Sequence, residues 1–190
     1  MSAFTSDDEK IGVVSDTHGS FPAWRRALAL FGPDVRTILH AGDILYHGPR
    51  NTIPGGYTPA DLADAINNFV RDGGRLLIAD GNCDAPVDRM VLEPQTSMYV
   101  SLVWRGKKII MMHGDNFPLL RQRAFDNKVD LAISGHTHVA SVVRENGVIF
   151  LNPGSTTIPK GRDPESAAIL SGEGISVSTL DGKELHFEKW

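Results

Sequence analysis

Three short apolar runs, each ending in glycine and polar residues, constrain this chain more than any other feature. Ile11 to Ser15 ends in Asp16-Thr17-His18-Gly19, Val35 to Ala41 in Gly42-Asp43, and Arg75 to Ala79 in Asp80-Gly81-Asn82-Cys83-Asp84. Apolar runs of this length, the first of them β-branched, read as buried strands. Between the first two lies a helix pattern, with Pro22 suited to its first position, Trp24, Ala27, Leu28 and Phe31 at helical spacing, and Gly32-Pro33 as the stop. Between the second and third, Thr58 caps a helix that has Pro59 first and Asp61 in its first turn. Leu62, Ala65, Ile66 and Phe69 form its apolar face, and Gly73-Gly74 ends it. Strand, helix, strand, helix, strand predicts a parallel sheet with right-handed crossovers. Ligands of such sheets sit beyond the carboxyl ends of the strands.

The rest of the chain adds turns and hairpins. Tyr46 to Tyr57, rich in Gly, Pro and Asn, reads as a long loop. A short helical piece is expected around Pro86 to Val91. Met98 to Trp104 and Lys107 to Met112 form a hairpin turning at Arg105-Gly106 and delivering His113-Gly114-Asp115. A helix over Pro118 to Phe125 precedes a strand over Val129 to Ser134, which breaks at Gly135 into His136-Thr137-His138. Asn146-Gly147 joins Ser141 to Glu145 with Val148 to Leu151, and Gly172-Glu173-Gly174 and Asp181-Gly182 mark further turns. The expected fold is of the α/β class, with two packed sheets flanked by helices and helical crossovers confined to the first half. A chain of 190 residues suits one domain, spanning 1–190.

Composition excludes several classes. A net charge of -4 without clustered Lys and Arg argues against a nucleic-acid surface. No apolar run reaches the ~18 residues of a membrane span. Met1 to Glu9 lacks the basic flank and apolar segment of a signal peptide, and a single cysteine, Cys83, fits a reducing compartment. The expected location is cytoplasmic.

Seven ligand-type side chains fall at predicted strand ends: Asp16, His18, Asp43, Asn82, His113, His136 and His138. Singly, each has an ordinary role as a cap, a turn closer, a left-handed Asn or a core His. Jointly, with glycine at 19, 42, 81, 114 and 135, they predict a metal centre at the sheet edge. Seven ligands exceed the need of one ion and suit two ions sharing a carboxylate, for which the short, central Asp43 is the best bridge. Carboxylate, amide and imidazole without thiolate fit Mn, Fe, Zn, Co or Ni. A cation pair clamps a phosphoryl group and acidifies a bound water. It also leaves local positive charge in an acidic protein.

Ser15-Asp16-Thr17-His18-Gly19, Gly42-Asp43, Gly81-Asn82-Cys83-Asp84, His113-Gly114-Asp115, Gly135-His136-Thr137-His138 and Asn152-Pro153-Gly154-Ser155 resemble the ordered motifs of the calcineurin-like metallophosphoesterases. Tyr46-His47-Gly48-Pro49-Arg50-Asn51, Gly56-Tyr57-Thr58-Pro59 and Ile158-Pro159-Lys160 are similar to the YfcE-type bacterial phosphodiesterases within that superfamily. The resemblance implies a four-layer αββα sandwich that can form homo-oligomers, as dimer or tetramer. It implies two divalent ions, manganese foremost, with Asp16, His18, Asp43 and His138 on one and Asp43, Asn82, His113 and His136 on the other. The implied activity is hydrolysis of small phosphodiesters such as bis-p-nitrophenyl phosphate, by in-line attack of a hydroxide bridging the ions.

One departure bears on substrate choice. Many members carry His after the Gly-Asn pair, whereas this chain has Cys83, a weak hydrogen-bond donor. Diesters with good leaving groups are therefore expected over alkyl monoesters. Asn82 and Cys83, with His47 and Arg50 in the loop after Asp43, are the candidate substrate-binding residues. His40, inside the second strand, reads as structural, and Asn152 to Ser155 as support for the histidine loop. The alternatives are a phosphomonoesterase and a non-catalytic scaffold, since the fold also includes a retromer subunit with a degraded metal site.

Overall fold

The structure, a computed structural model, describes residues 4–6 as backbone and residues 9–190 with their side chains. The stretch Met1 to Glu9, which lacks the features of a signal peptide in sequence, lies for the most part outside the described residues. β1 (Phe4–Ser6), β2 (Ile11–Val14), α1 (Phe21–Phe31), β3 (Thr37–His40), α2 (Pro59–Arg71) and β4 (Arg75–Ala79) come first, then α3 (Asp88–Val91) and the two-residue β5 (Thr96–Ser97). β6 (Val100–Trp104), β7 (Lys107–Met111), α4 (Phe117–Asp126) and β8 (Leu131–Ile133) follow. β9 (Ser141–Glu145), β10 (Val148–Asn152), β11 (Ser166–Leu170), β12 (Gly174–Thr179) and β13 (Glu184–Lys189) close the chain.

The strands form two mixed sheets, one of seven in the order β13-β12-β11-β2-β3-β4-β5 and one of six in the order β1-β6-β7-β8-β10-β9. Successive side chains of a strand point to opposite faces, and β2 uses both: Val13 joins the core between the sheets, Val14 the core under the helices. The inter-sheet core also holds Leu39, Leu102, Trp104, Ile109, Leu131, Ile149 and Leu151. Trp24, Ala27 and Phe31 of α1 pack with Leu62 and Ile66 of α2 over Ile38 and Ile78 of the seven-stranded sheet. Leu120 and Ala124 of α4 cover Ile110, Ala132 and Phe150 of the other. Helix, sheet, sheet and helix thus make four layers. No helix among the described residues is long and apolar enough to cross a membrane.

Two expectations need correction. Helical crossovers are not confined to the first half: β7 pairs with β8 in parallel, and α4 joins them. A parallel pair cannot be closed by a tight turn and needs such a crossover. Thr58 does sit at the start of α2, but its side chain makes no cap bond. By contrast, Ser20 accepts from the Ala23 N–H and Asn116 from the Leu119 N–H, at the starts of α1 and α4.

Beyond the strand ends, the loops after β3 and β4 nearly touch. A Cβ on Gly42 would fall 2.8 Å from Gly81 Cα, and one on Gly81 would collide with the backbone N and Oδ1 of Asp43. Gly81→Ala is therefore expected to lower stability by about 1–3 kcal/mol. Gly55→Ala, whose added methyl meets nothing within 4 Å, should leave stability unchanged or raise it by less than about 1 kcal/mol. Urea unfolding midpoints of the two variants test this contrast.

Candidate metal centre

The seven side chains predicted from strand ends converge on one place, but from both sheets. Asp16 and His18 follow β2, Asp43 follows β3 and Asn82 follows β4. His113 follows β7, and His136 and His138 follow β8. The centre thus spans the ends of two facing sheets rather than one sheet's edge, because the sheets pack with these ends together. Asp16, His18, Asp43, His136 and His138 all have positive φ, between 43° and 68°. Non-glycine residues rarely adopt that region, and such residues gather at functional sites. Asn82, whose ordinary role would have been a left-handed turn, is not in that conformation.

Backbone carbonyls fix the tautomers of three histidines. His18 Nδ1 donates to the Tyr46 carbonyl at 2.8 Å, His113 Nδ1 to that of Ala41 at 2.7 Å, and His138 Nδ1 to that of Ile158 at 2.7 Å. Each ring then turns Nε2 inward, the arrangement by which proteins orient imidazole ligands. Around one point, His18 Nε2 lies 3.3 Å from His138 Nε2, and Asp16 Oδ1 lies 3.2 Å from His138 Nε2 and 3.7 Å from His18 Nε2. Around a second point, Asn82 Oδ1 lies 3.0 Å from His113 Nε2 and 2.6 Å from His136 Nδ1. Asp43 Oδ2 stands between them, 3.8 Å from His18 Nε2 and 3.4 Å from His113 Nε2.

These contacts bring electron-pair acceptors face to face. Asp16 Oδ1 is buried and accepts no hydrogen bond, which is costly unless a positive charge is present. The donor set therefore fits divalent cations. Burial depresses the pKa of His113, but its hydrogen bond to Asp43 and the charges of Asp16 and Asp43 override that and raise it to about 9. A proton on His113 thus supplies part of the missing charge. Asp43 is held well below the usual carboxylate range: burial opposes ionisation, and His113 together with the Cys83 N–H outweighs it. Burial lowers the pKa values of His18 and His136, keeping both available as neutral ligands.

Cys83 lies beside Asp43, donating its backbone N–H to Asp43 Oδ1 at 2.7 Å. Burial, then the Asp43 and Asp84 charges, push its thiol up to about 12. The thiol therefore stays neutral and serves poorly as nucleophile or proton donor. A cavity of about 530 Å³ opens over the centre, lined by Asp43, Tyr46, Arg50, Asn51, Asn82, Cys83, His136, His138 and Lys160. Arg50 is thus placed as expected of a substrate contact. His47 is not a lining residue: its ring stacks edge-on to Tyr46 and Tyr57, at 4.8 and 5.1 Å between centroids.

The support expected from Asn152 to Ser155 is present. Asn152 Nδ2 donates to the Gly135 carbonyl at 2.7 Å, and the Ser155 hydroxyl to that of Asp16 at 2.8 Å. Asp84 and Lys160 carried no assigned role in the sequence. The Asp84 carboxylate accepts from the N–H groups of Asp43, Ile44 and Gly81 at 3.0, 2.7 and 2.8 Å, and so ties the β3 and β4 loops together. An acid as the second residue after Gly-Asn was the signal available. Lys160 is drawn to the cavity by its own N–H, which donates to the His138 carbonyl at 2.9 Å.

Residues 10–174 match the profile of the calcineurin-like phosphoesterase superfamily domain. The chain is 34% identical over 183 residues to Phosphodiesterase YfcE of Escherichia coli K12, covering 93% of this chain and 95% of that protein. A solved structure of the E. coli phosphoesterase Yfce superposes with a TM-score of 0.83 at 31% identity, over 95% of this chain and 98% of that one. Vacuolar Protein Sorting 29 of Cryptosporidium parvum, at 20% identity and TM-score 0.67 over 96% and 97% of the two chains, shares the fold.

Asp84→Asn would aim an amide NH2 at backbone N–H groups that now meet a carboxylate. It is expected to cost about 1–3 kcal/mol of stability and to weaken manganese binding about 10- to 100-fold. Thermal unfolding of the stripped protein and a manganese titration measure the two effects.

Proposed function

Because the chain belongs to the calcineurin-like phosphoesterase superfamily, we propose that it is a metal-dependent phosphodiesterase acting on small phosphodiesters. Asp16, His18, Asp43 and His138 would hold one divalent cation, and Asp43, Asn82, His113 and His136 the other, with manganese as the resident metal. The observation that carries this is Asp43 Oδ2, which faces His18 Nε2 at 3.8 Å and His113 Nε2 at 3.4 Å. Once bound, such a pair supplies charge neutralisation at phosphorus and an acidified water.

The chain's own groups set the remaining requirements. Carbonyl-anchored imidazoles hold their Nε2 atoms in place before substrate arrives, so little reorganisation accompanies reaction. Arg50 and Lys160, on the cavity wall, offer positive charge to the outer phosphoryl oxygens. Asn82 and Cys83 complete the substrate contacts, and His47 packs its ring against that of Tyr46 on the cavity wall. With the Cys83 thiol held near 12, no strong acid stands there to protonate a departing alkoxide. Esters whose alcohols leave readily as anions are therefore favoured, as are diesters over monoesters. The scaffold alternative would call for a broken ligand set, and here the set is complete. A cytoplasmic setting, a single domain and homo-oligomeric assembly belong to the same proposal.

Two measurements test it. With added manganese, bis-p-nitrophenyl phosphate is expected to turn over faster than the monoester. Equal or faster monoester cleavage would overturn the diesterase assignment. Asp43→Asn should keep the far-UV circular dichroism of the parent, while bound manganese falls from two per chain to one or none and activity falls about a hundredfold or more. Unchanged stoichiometry and rate would refute the shared carboxylate.

A further inference from the structure

His40 ends β3 with its side chain 0% exposed. Its side-chain hydrogen bonds go to Thr17 and Gly42 and to none of the seven residues assigned to the cations. Its tautomer follows from its neighbours. The Gly42 N–H donates to Nδ1 at 3.1 Å, so Nδ1 bears a lone pair. Thr17 spends its one hydroxyl proton on the Ile44 carbonyl at 3.0 Å. The 3.0 Å contact between Thr17 Oγ1 and His40 Nε2 must therefore be a bond donated by Nε2–H. Every polar atom of the neutral ring is satisfied in this form and in no other.

The bonds run between two loops. Thr17 lies between Asp16 and His18, while Gly42 and Ile44 flank Asp43. Asp16, His18 and Asp43 all sit at positive φ, a conformation that persists only where the surroundings over-determine it. Backbone bonds from Asp16 N to Gly42 O at 3.0 Å and from His18 N to Asp43 O at 3.0 Å set the register of the loops. The imidazole adds a rigid side-chain strut beneath them. Burial keeps its pKa near 4, so the ring stays neutral at ordinary pH.

We propose that His40 is a positioning residue for the cation pair: through Gly42 and Thr17 it fixes the Asp16–His18 loop against Asp43 and thereby sets cation affinity. This rests on the dinuclear reading above. A residue that merely filled the core would be replaced best by leucine. A strut needs a group that bonds Thr17, and glutamine places an amide N–H near the position of Nε2.

The test compares wild type, His40→Gln, His40→Leu and Thr17→Val, all stripped of metal. Manganese affinity is read by electron paramagnetic resonance titration, and folding by thermal unfolding without metal. Affinity is expected to fall about 10- to 100-fold in His40→Leu, with His40→Gln between it and wild type. Thr17→Val, which removes the hydroxyl and keeps the shape, should fold and lose a similar factor. His40→Leu that folds and binds manganese like wild type would overturn the proposal. If His40→Leu fails to fold, Thr17→Val decides: unchanged affinity overturns the proposal, and weakened affinity supports it. Wild type that binds no manganese would instead overturn the dinuclear reading itself.

Discussion

Past the ends of β2 and β3, three non-glycine residues, two in one loop and one in the other, adopt a conformation that L-amino acids avoid, and the two loops hydrogen-bond to each other as they do so. Asp16, His18 and Asp43 are held there at φ of 53°, 43° and 59°. Each such residue costs on the order of 1–3 kcal/mol, and His136 and His138 do the same on the facing sheet. Together these costs reach a sizeable part of the roughly 5–15 kcal/mol by which domains are stable. The centre is therefore built against local preference, and the surrounding bonds must hold it. The Asp84 carboxylate, the Asn152 amide, the Ser155 hydroxyl and the His40 ring each bind backbone or side chains of these loops.

Electrostatics presses in the same direction. Two inward Nε2 atoms 3.3 Å apart, a buried Asp16 oxygen without a donor and an Asn82 oxygen between two imidazoles make a nest of acceptors. In the bare protein, the proton on His113 relieves only one side of it. Bound cations would satisfy both sides, so the same atoms that destabilise the metal-free fold favour its loaded form. A site of this kind offers preorganisation and no covalent nucleophile of its own. That agrees with a neutral Cys83 thiol and with Arg50 and Lys160 among the residues that line the cavity.

Much of this was legible in the sequence. Contiguous apolar runs located β2, β3 and β4, the turn at Asn146-Gly147 located β9 and β10, and polar residues after strands located the side chains that converge at the candidate centre. What escaped depends on long-range geometry. β5 is two residues long and owes its existence to pairing with Ile78 and Ala79. The α4 crossover was hidden because parallel pairing of β7 with β8 leaves no local mark. Asp84 is an ordinary acid in sequence and gains its role only where Gly42 and Gly81 let two loops meet. His47 is next to a cavity residue in sequence, yet the backbone turns its ring toward Tyr57. His40 reads as structural from its place inside a strand, and it is buried; its bonds to residues 17 and 42 could not be read from a strand pattern.

Asp43 is placed to join two cation sites, each drawing its ligands from both sheets. Crystals of the manganese-loaded protein, measured for anomalous scattering, test it most directly. Two peaks are expected to flank the Asp43 carboxylate, one beside His18 and His138 and the other beside Asn82, His113 and His136. A single peak, or two peaks that do not share Asp43, would contradict it.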